Sequence, residues 1–443
     1  PAVSDCSYPL EAQIKTSQLT QNAGFTVTYN NTYKVVNNLR TNEVYILYCS
    51  ASAPNVSDIP APKYFQVPLL NVYSSIRYVN NIASITSPCL RKNIENQSVQ
   101  NFNWSDTANV DVVFLNPSQA TNDNKNVIIS IGDDLTPLQK LEWVKFYSLF
   151  FDKEADVTRS VEYLQNNYQC NTNNLNYIPI ASKKTIAWVS YDPILKQFEV
   201  KNDVYHTQII QDAGAYYFKN PASIVNTTDE LHSIIDSAYI VIDESQSISS
   251  FDAWQRTFGY YPVQSSVNIP DFITYRRVYR VNKLVNTDGY IDWYESAAAR
   301  PDIAMQDLIA IQYPTYQPSY NTRWLHKFSD NDSPTILTSS DCKDPNQPQT
   351  FGTCSANNFT GDSSSKDGSQ SSANNGFNGS KKLSPIAEAL IITFSILAGL
   401  AGFAVGTWLV LVFRRKHQER FIELKDEPEV QMSNVPEPTK TSV

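Results

Sequence analysis

Apolar and polar positions alternate through the runs FTVTYN, YKVVNN and EVYILYCS near the start of the chain, the period-two pattern of half-buried strands. Later short apolar runs (VDVVFLN, TIAWVSY, SAYIVIDES) are separated by stretches of helical period, and that alternation predicts α/β layers. One stretch stands apart. Residues 136–168 read as a single helix of about nine turns. Thr136 can cap it with Gln139 three positions on, and Pro137 occupies the first helical position, where a missing N–H costs nothing. Positions 143, 147, 150, 154, 157, 161, 164 and 168 form a stripe spaced by four and three, while Val144, Phe146, Leu149 and Phe151 make the first half apolar on other faces too. A helix buried all round at one end and amphipathic at the other is the expected beam between two lobes. The expected division is therefore an N-terminal α/β lobe over 1–135, an interlobe helix over 136–168 and a C-terminal α/β lobe over 169–340.

The apolar pattern changes character again near the end of the chain. Residues 389–413 carry no charge and are long enough to cross a ~30 Å hydrocarbon core at 1.5 Å per residue. Trp408 lies near one end of this run, and Arg414, Arg415 and Lys416 follow it, so the expectation is one spanning helix with the cytosol on the arginine side. That makes a type I single-pass protein of the plasma membrane, with the N-terminal part outside and 414–443 as a short cytosolic tail. Gly402 and Gly406, with Ala398 before them, form a stripe of small residues that permits close helix approach and a weak dimer. The chain opens on Pro1 with no apolar leader, which reads as the mature end left after a signal peptide is removed. Residues 341–388 form a disulfide loop followed by a Ser/Asn/Gly-rich stalk. The terminal Thr441-Ser442-Val443 fits carboxylate capture by a strand-addition domain, a pattern short enough to arise by chance.

Sequons and cysteines agree with an outside location. Asn-x-Ser/Thr occurs at Asn30, Asn55, Asn96, Asn103, Asn226, Asn331, Asn358 and Asn378, all before the apolar run, and the six cysteines also precede it. Cys342 and Cys354 enclose a short Pro/Gln/Gly loop and are expected to pair. Cys6, Cys49, Cys89 and Cys170 allow three pairings between which sequence does not choose.

Composition narrows the function class. With 35 Lys and Arg against 44 Asp and Glu the net charge is −9, which argues against a nucleic-acid partner, because phosphate neutralisation needs a basic face. The chain has 13 Gly but 26 Tyr and 20 Phe, so aromatic-lined surfaces are favoured over phosphate loops. It has no Gly-x-Ser-x-Gly elbow and no His-Glu-x-x-His, and the expectation is a binding protein rather than an enzyme. His206, His232 and His326 lack metal-ligand spacing, so they read as surface or capped histidines and no metal or other cofactor is expected. Asp133-Asp134, ahead of a helix start, is explained by the helix dipole.

Two stretches carry a family likeness. TPLQKLEWVKFYSLFFDKEADV (136–157) resembles the start of the interlobe helix of the helix-backbone (class III) periplasmic binding proteins, and DWYESAAARPDIAMQDLIAIQYP (292–314) resembles their closing segment. FQVPLLNVYSSIRYVNNI (65–82) is similar to the loop and helix by which the first lobe of that family meets its ligand. The likeness covers about residues 25–320. It implies two Rossmann-like lobes and a cleft that holds a small ligand, by analogy a ferric siderophore, haem or corrinoid. Transfer to a bacterial permease does not carry over to a chain with its own apolar anchor, sequons and tail. The alternatives are a cell-surface receptor or sensor, or an adhesive glycoprotein, that reuses the fold for another ligand or a protein partner.

On this reading the site residues follow the strands, at the cleft. Tyr73, Ser74 and Ser75 stand where a helix N-terminus would favour an anion. Trp188 and Tyr191 lie on the strand that opens the second lobe. Tyr216 and Tyr217 follow Asp212-Ala213-Gly214, which is similar to a ligand-side turn of the family. Arg276 and Arg277 are the cations suited to fork onto a ligand carboxylate or hydroxamate. Each has a plainer reading: capping for the serines, core for the aromatics, a solvated face or a lobe-to-lobe ion pair for the arginines.

Overall fold

The computed structural model describes residues 8, 22–69, 72–74, 99–101, 110–217, 224–261, 269–285, 289–330, 333–336 and 354–361. They belong to the compact unit formed by 1–365; a second unit, 366–443, lies outside the described residues, and with it the expected membrane helix at 389–413, the tail, and Gly402 and Gly406. Among the described residues no helix is long and apolar enough to cross a membrane.

The first lobe opens with the alternating runs as strands. Phe25–Tyr29 (β1), Tyr33–Asn38 (β2) and Glu43–Tyr48 (β3) form an antiparallel meander, to which Lys63–Gln66 (β4) adds in parallel. Val72–Ser74 (β5), Val99–Asn101 (β6), Val112–Leu115 (β7) and Asn126–Ile128 (β8) make a parallel sheet in the order β6-β5-β7-β8. Tyr73 and Ser74 are thus the end of a strand rather than the first turn of a helix, and Ser75 lies outside the described residues.

The second lobe is a seven-stranded mixed sheet. Its path runs β12-β10-β9-β13-β14-β16, with β11 also on β9. The strands are Thr185–Asp192 (β9), Gln197–Val200 (β10), Tyr216–Tyr217 (β11), Ile224–Val225 (β12), Ile240–Asp243 (β13), Val278–Arg280 (β14) and His326–Lys327 (β16), while Leu284–Val285 (β15) pairs Thr335–Ile336 (β17) apart from it. β9, β13 and β14 run parallel and are apolar on both faces. Ile186, Trp188, Ile240 and Ile242 enter one core, and Ala187, Val189, Val241 and Val278 enter the other. A sheet covered on both sides explains why these strands read as continuous apolar runs.

The cap at Thr136 forms as expected: its side chain accepts from Gln139 N, and the Gln139 side chain closes the box. The helix it starts does not continue to Tyr168. Pro137–Ser148 (α1) gives way to a 3-10 turn at Leu149–Phe151, Asp152 turns left-handed at φ 51°, and a second helix, Glu154–Leu175 (α2), begins. The cause lies far off in sequence. β2 points Lys34, Val36 and Asn38 inward, and the fully buried Lys34 ammonium donates to Leu149 O at 3.0 Å and to the Asp152 and Glu154 carboxylates at 2.6 Å each. An uninterrupted helix would use the Leu149 carbonyl within its own ladder and leave this cation short of acceptors. The apolar stripe survives the break, with every position from Trp143 to Tyr168 buried. The beam is α2 alone: Val157, Val161 and Leu164 lie in the first core, Tyr168 and Leu175 in the second.

The expected Cys342–Cys354 bond does not form, because Cys354 is bonded to Cys170 on α2, with Cα atoms 6.1 Å apart. The helix receives the whole segment. Asn167 Oδ1 accepts from Cys354 N (2.8 Å), Asn174 donates to Ser355 O (2.9 Å) and accepts from Asn357 N (2.8 Å), and Phe359 packs on Tyr313 and Tyr316. Residues 354–361, read from composition as stalk, are therefore strapped to the second lobe. Cys342 lies outside the described residues, and Cys49 is disulfide-bonded to a cysteine that does too. Among the sequons, Asn55, Asn226 and Asn358 are exposed and Asn30 is half-buried, while Asn96, Asn103, Asn331 and Asn378 fall outside the described residues.

Two outcomes follow from this architecture. Lys34→Met removes the cation and leaves Glu154 buried without a counter-charge, which should cost about 3–5 kcal/mol in a denaturant melt; parent-like stability would refute the role given to Lys34. Non-reducing peptide mapping should join the peptides of Cys170 and Cys354, and a Cys342–Cys354 species would contradict the strap.

Candidate functional site

In open α/β sheets ligands sit outside the carboxyl ends of the strands, and that edge of the second lobe is where charge gathers. Glu244 and Ser245 follow β13, Tyr191 is the penultimate residue of β9, and Val204–Asp212 (α3) begins beside them under an Asp203 cap. Pairing along β9 and β13 places Glu244 N on Val189 O, while Ser245 Oγ accepts from Tyr191 N. Trp188 Nε1 donates to Glu244 Oε1 at 3.0 Å. Tyr294, on the short helix Asp292–Ser296, is 38% exposed and brings its hydroxyl to 3.4 Å from Glu244 O, which makes it the accessible aromatic on this rim.

His206 is the centre of the edge. It is buried, with Nδ1 at 2.7 Å from Asp203 Oδ2 and Nε2 at 3.8 Å from Glu244 Oε1, and its ring packs on Trp188 and Tyr205. Burial opposes its charge, but the hydrogen bond to Asp203 and the nearby Glu244 carboxylate outweigh that and raise its pKa above the usual imidazole range. Asp203 is displaced the other way: burial pushes it up, and the His206 contacts more than reverse this and hold it low. Lys201 repeats the pattern, since burial opposes its charge while the Glu199 carboxylate at 2.6 Å leads the contacts that raise its pKa. Deeper in, Asp243 is pushed up to about 6 by burial, against the opposing pull of Arg280, whose Nε stands 3.4 Å away. Arg280 also donates to Ile248 O at 2.6 Å and to Ser245 O, and so pins the loop that carries Glu244.

The first lobe reaches this edge from the segment after β8. Asp133 O accepts from Tyr205 N at 2.9 Å, and Lys140 on α1 pairs with Asp133 at 2.7 Å while lying 3.8 Å over the Tyr205 ring. Neighbouring Asp134 takes Arg40 through both carboxylate oxygens. Ion pairing, beyond the helix dipole, therefore accounts for the Asp133-Asp134 pair. The segments that follow the carboxyl edges of the two sheets meet here.

The anticipated residues divide between the two ends of the second sheet. Trp188 and Tyr191 belong to the carboxyl side, Trp188 as a core residue with a polar edge and Tyr191 packed at a tilt on Phe198. Tyr216 and Tyr217 pair with Thr185 and Ile186 at the start of β9, on the amino side. The Asp212-Ala213-Gly214 turn that precedes them is structural: Asp212 accepts from Tyr168 and Gly214 takes φ 77° against Ile178. Arg276 and Arg277 precede β14 and stand at the amino side as well, so they do not face Tyr73 across a cleft. Sequence reasoning passed over His206, Glu244, Lys140 and Tyr294. Asp203-x-x-His206 at a helix start and Asp243-Glu244 at a strand end were the available signals.

No family model matches the chain, and none of the curated proteins matches it. Solved structures do. A periplasmic solute-binding protein from Veillonella parvula is 16% identical, with a TM-score of 0.42 over 58% of this chain and 84% of that one. A periplasmic haem-binding protein from Pseudomonas aeruginosa is 12% identical (TM-score 0.40; 60% and 100%), and the periplasmic haem-binding protein HutB of Vibrio cholerae is 12% identical (TM-score 0.38; 55% and 98%). The chain is similar to periplasmic solute- and haem-binding proteins, the group that its interlobe segment resembles.

The charges at this edge predict how stability depends on pH. Since the native state holds the His206 proton more tightly than the unfolded chain, its contribution is complete below the unfolded value of 6.5 and is lost as pH rises through the folded one. Unfolding free energy should therefore fall as pH rises above 6.5, and His206→Gln should flatten the fall; an unchanged slope would contradict the pairing. Asp243 adds a separate term below that range. Its neutral form is favoured in the native state, so stability declines as pH rises from the unfolded value of 3.8 through about 6, and one aspartate carboxyl should titrate by NMR with a midpoint near 6.

Proposed function

We propose that this chain is a membrane-anchored extracellular binding protein that holds a small ligand between its lobes. The observation that carries the reading is the meeting of the Asp133–Lys140 segment of the first lobe with the His206–Glu244–Tyr294 edge of the second, at the carboxyl ends of parallel strands. Such an edge can do three things for a solute. It offers Tyr294 and Tyr191 as ring surface, fixed carboxylates at Glu244 and Asp133 as acceptors, and a hinge of one helix about which the lobes can close. The anchor rests on the apolar run at 389–413, and the outside location rests on the sequons and the cysteines. The ligand classes implied by the family likeness are a ferric siderophore, haem or a corrinoid.

The test is a thermal-shift series on the full chain with haem, ferric siderophores and cobalamin. A ligand present at a hundred times its Kd adds about 2.7 kcal/mol to the native state, which raises Tm measurably. The expected result is a rise with one of these compounds that Tyr294→Ala and Tyr191→Ala each reduce. No rise with any of them would reject the ligand classes, and a rise that both variants leave intact would reject the site.

A further inference from the structure

The amino end of the second lobe, opposite the edge described above, holds a hollow of about 800 Å³. Its walls are the turn before β9 and the loop before β13, including Lys183, Lys184, Thr185, Asp236 and Tyr239, with Asp271 at the turn before the helix Asp271–Thr274. The volume falls within the range of pockets that take small molecules, and hydroxyl, carboxylate and ammonium groups supply most of its chemistry.

Its cations are placed unusually. Lys184 Nζ lies 4.3 Å from the centre of the Tyr239 ring and the Arg277 guanidinium 3.8 Å from the same centre, with Arg277 also 4.4 Å from the Tyr275 ring. Two positive charges on one ring are within about a Debye length (~8 Å) of each other. Among the described residues neither has a carboxylate partner, nor does Lys183 on the same wall, and Arg277 Nη1 is buried without a hydrogen bond. Cation–π contact holds the pair in place but does not cancel its repulsion. In a chain of net charge −9, Lys183 and Lys184 on the wall and Arg277 on the Tyr239 ring, none of them paired with a carboxylate among the described residues, give this end of the hollow a local field for an anion.

The acids on the wall narrow the class. Asp236 accepts from the Tyr260 hydroxyl at 2.7 Å, and Asp271 is exposed. A bare inorganic anion would gain from the cations and be repelled by these two carboxylates. A ligand that carries both an anionic group and several hydroxyls satisfies all of them, since its hydroxyls donate to Asp236 and Asp271 while its charge lies toward Lys184 and Arg277. We infer that this hollow is a binding site for an anionic saccharide, a sugar bearing a sulfate, phosphate or carboxylate group. It is separate from the interlobe edge, at the other end of the same strands, and does not depend on what that edge binds.

Calorimetric titration of the full chain with a sulfated heparin disaccharide, glucose 6-phosphate, glucuronic acid, neutral glucose and inorganic sulfate tests this. At least one anionic sugar should bind ten-fold or more tightly than glucose and than sulfate, and the affinity should fall as salt rises. The disaccharide and monosaccharide arms separate a glycan terminus from a free sugar acid as the source. Lys184→Gln and Arg277→Gln should each weaken binding about ten-fold with the unliganded Tm unchanged, and Asp271→Asn should weaken the sugar without weakening sulfate. Lys184 is half-exposed, so its variant remains informative if the Arg277 variant fails to fold. Binding of none of the anionic sugars, equal affinity for glucose or sulfate, or parent-like binding by Lys184→Gln would overturn the inference.

Discussion

A buried ammonium group decides the layout of the molecule. Lys34 has no access to solvent, and its charge is tolerable only because Leu149 O, Asp152 and Glu154 converge on it. That convergence requires a break between α1 and α2, and the break divides two tasks. α1 is buried nearly all round, packing Trp143, Phe146 and Tyr147 among the first-lobe strands. α2 then runs from the first core into the second, with buried residues in each. Burial pushes the Glu154 carboxyl up while Lys34 pulls it down, and burial wins, so the junction is held by a pair under tension rather than by a surface salt bridge.

From that junction the rest of the site geometry follows. α1 presents Lys140 and the preceding loop presents Asp133 to Tyr205 of the second lobe, while α2 carries Cys170, Asn167 and Asn174, which seize residues 354–361. The two ends of the second sheet then differ in character. The carboxyl edge is a network in which each cation has its acid: His206 with Asp203 and Glu244, Lys201 with Glu199, Arg280 with Asp243. The amino end leaves its cations stacked on tyrosines. Among the described residues, cations paired with acids in one place and cations held against rings in the other distinguish the two surfaces chemically.

Much of the fold was legible because it is local. Period-two runs became β1, β2 and β3, uninterrupted apolar runs became the doubly covered β9 and β13, and the Thr136–Gln139 box formed as read. The helix break was not legible, since its cause lies 115 positions from Leu149 and a lysine in a strand reads as solvated. The Cys170–Cys354 bond, closing 184 positions, was hidden for the same reason; proximity in sequence favoured the wrong partner. Arg276, Arg277, Tyr216 and Tyr217 were misplaced for a different reason. Their residue types suited a ligand, but they precede or start strands, and position relative to strand direction outranks residue type in deciding which end of a sheet a side chain serves. His206 lacks metal-ligand spacing, but a carboxylate at i−3 and another at a strand end is the pattern that charges a buried imidazole.

Hydrogen–deuterium exchange on the full chain, with and without the compound that raises its Tm most, tests the account most directly. Binding between the lobes predicts slowed exchange in two separated stretches together, 129–140 of the first lobe and 201–206 with 244–250 of the second. Slowed exchange confined to the amino end of the second lobe, at 181–185 and 236–239, with the two interlobe stretches unchanged, would contradict it.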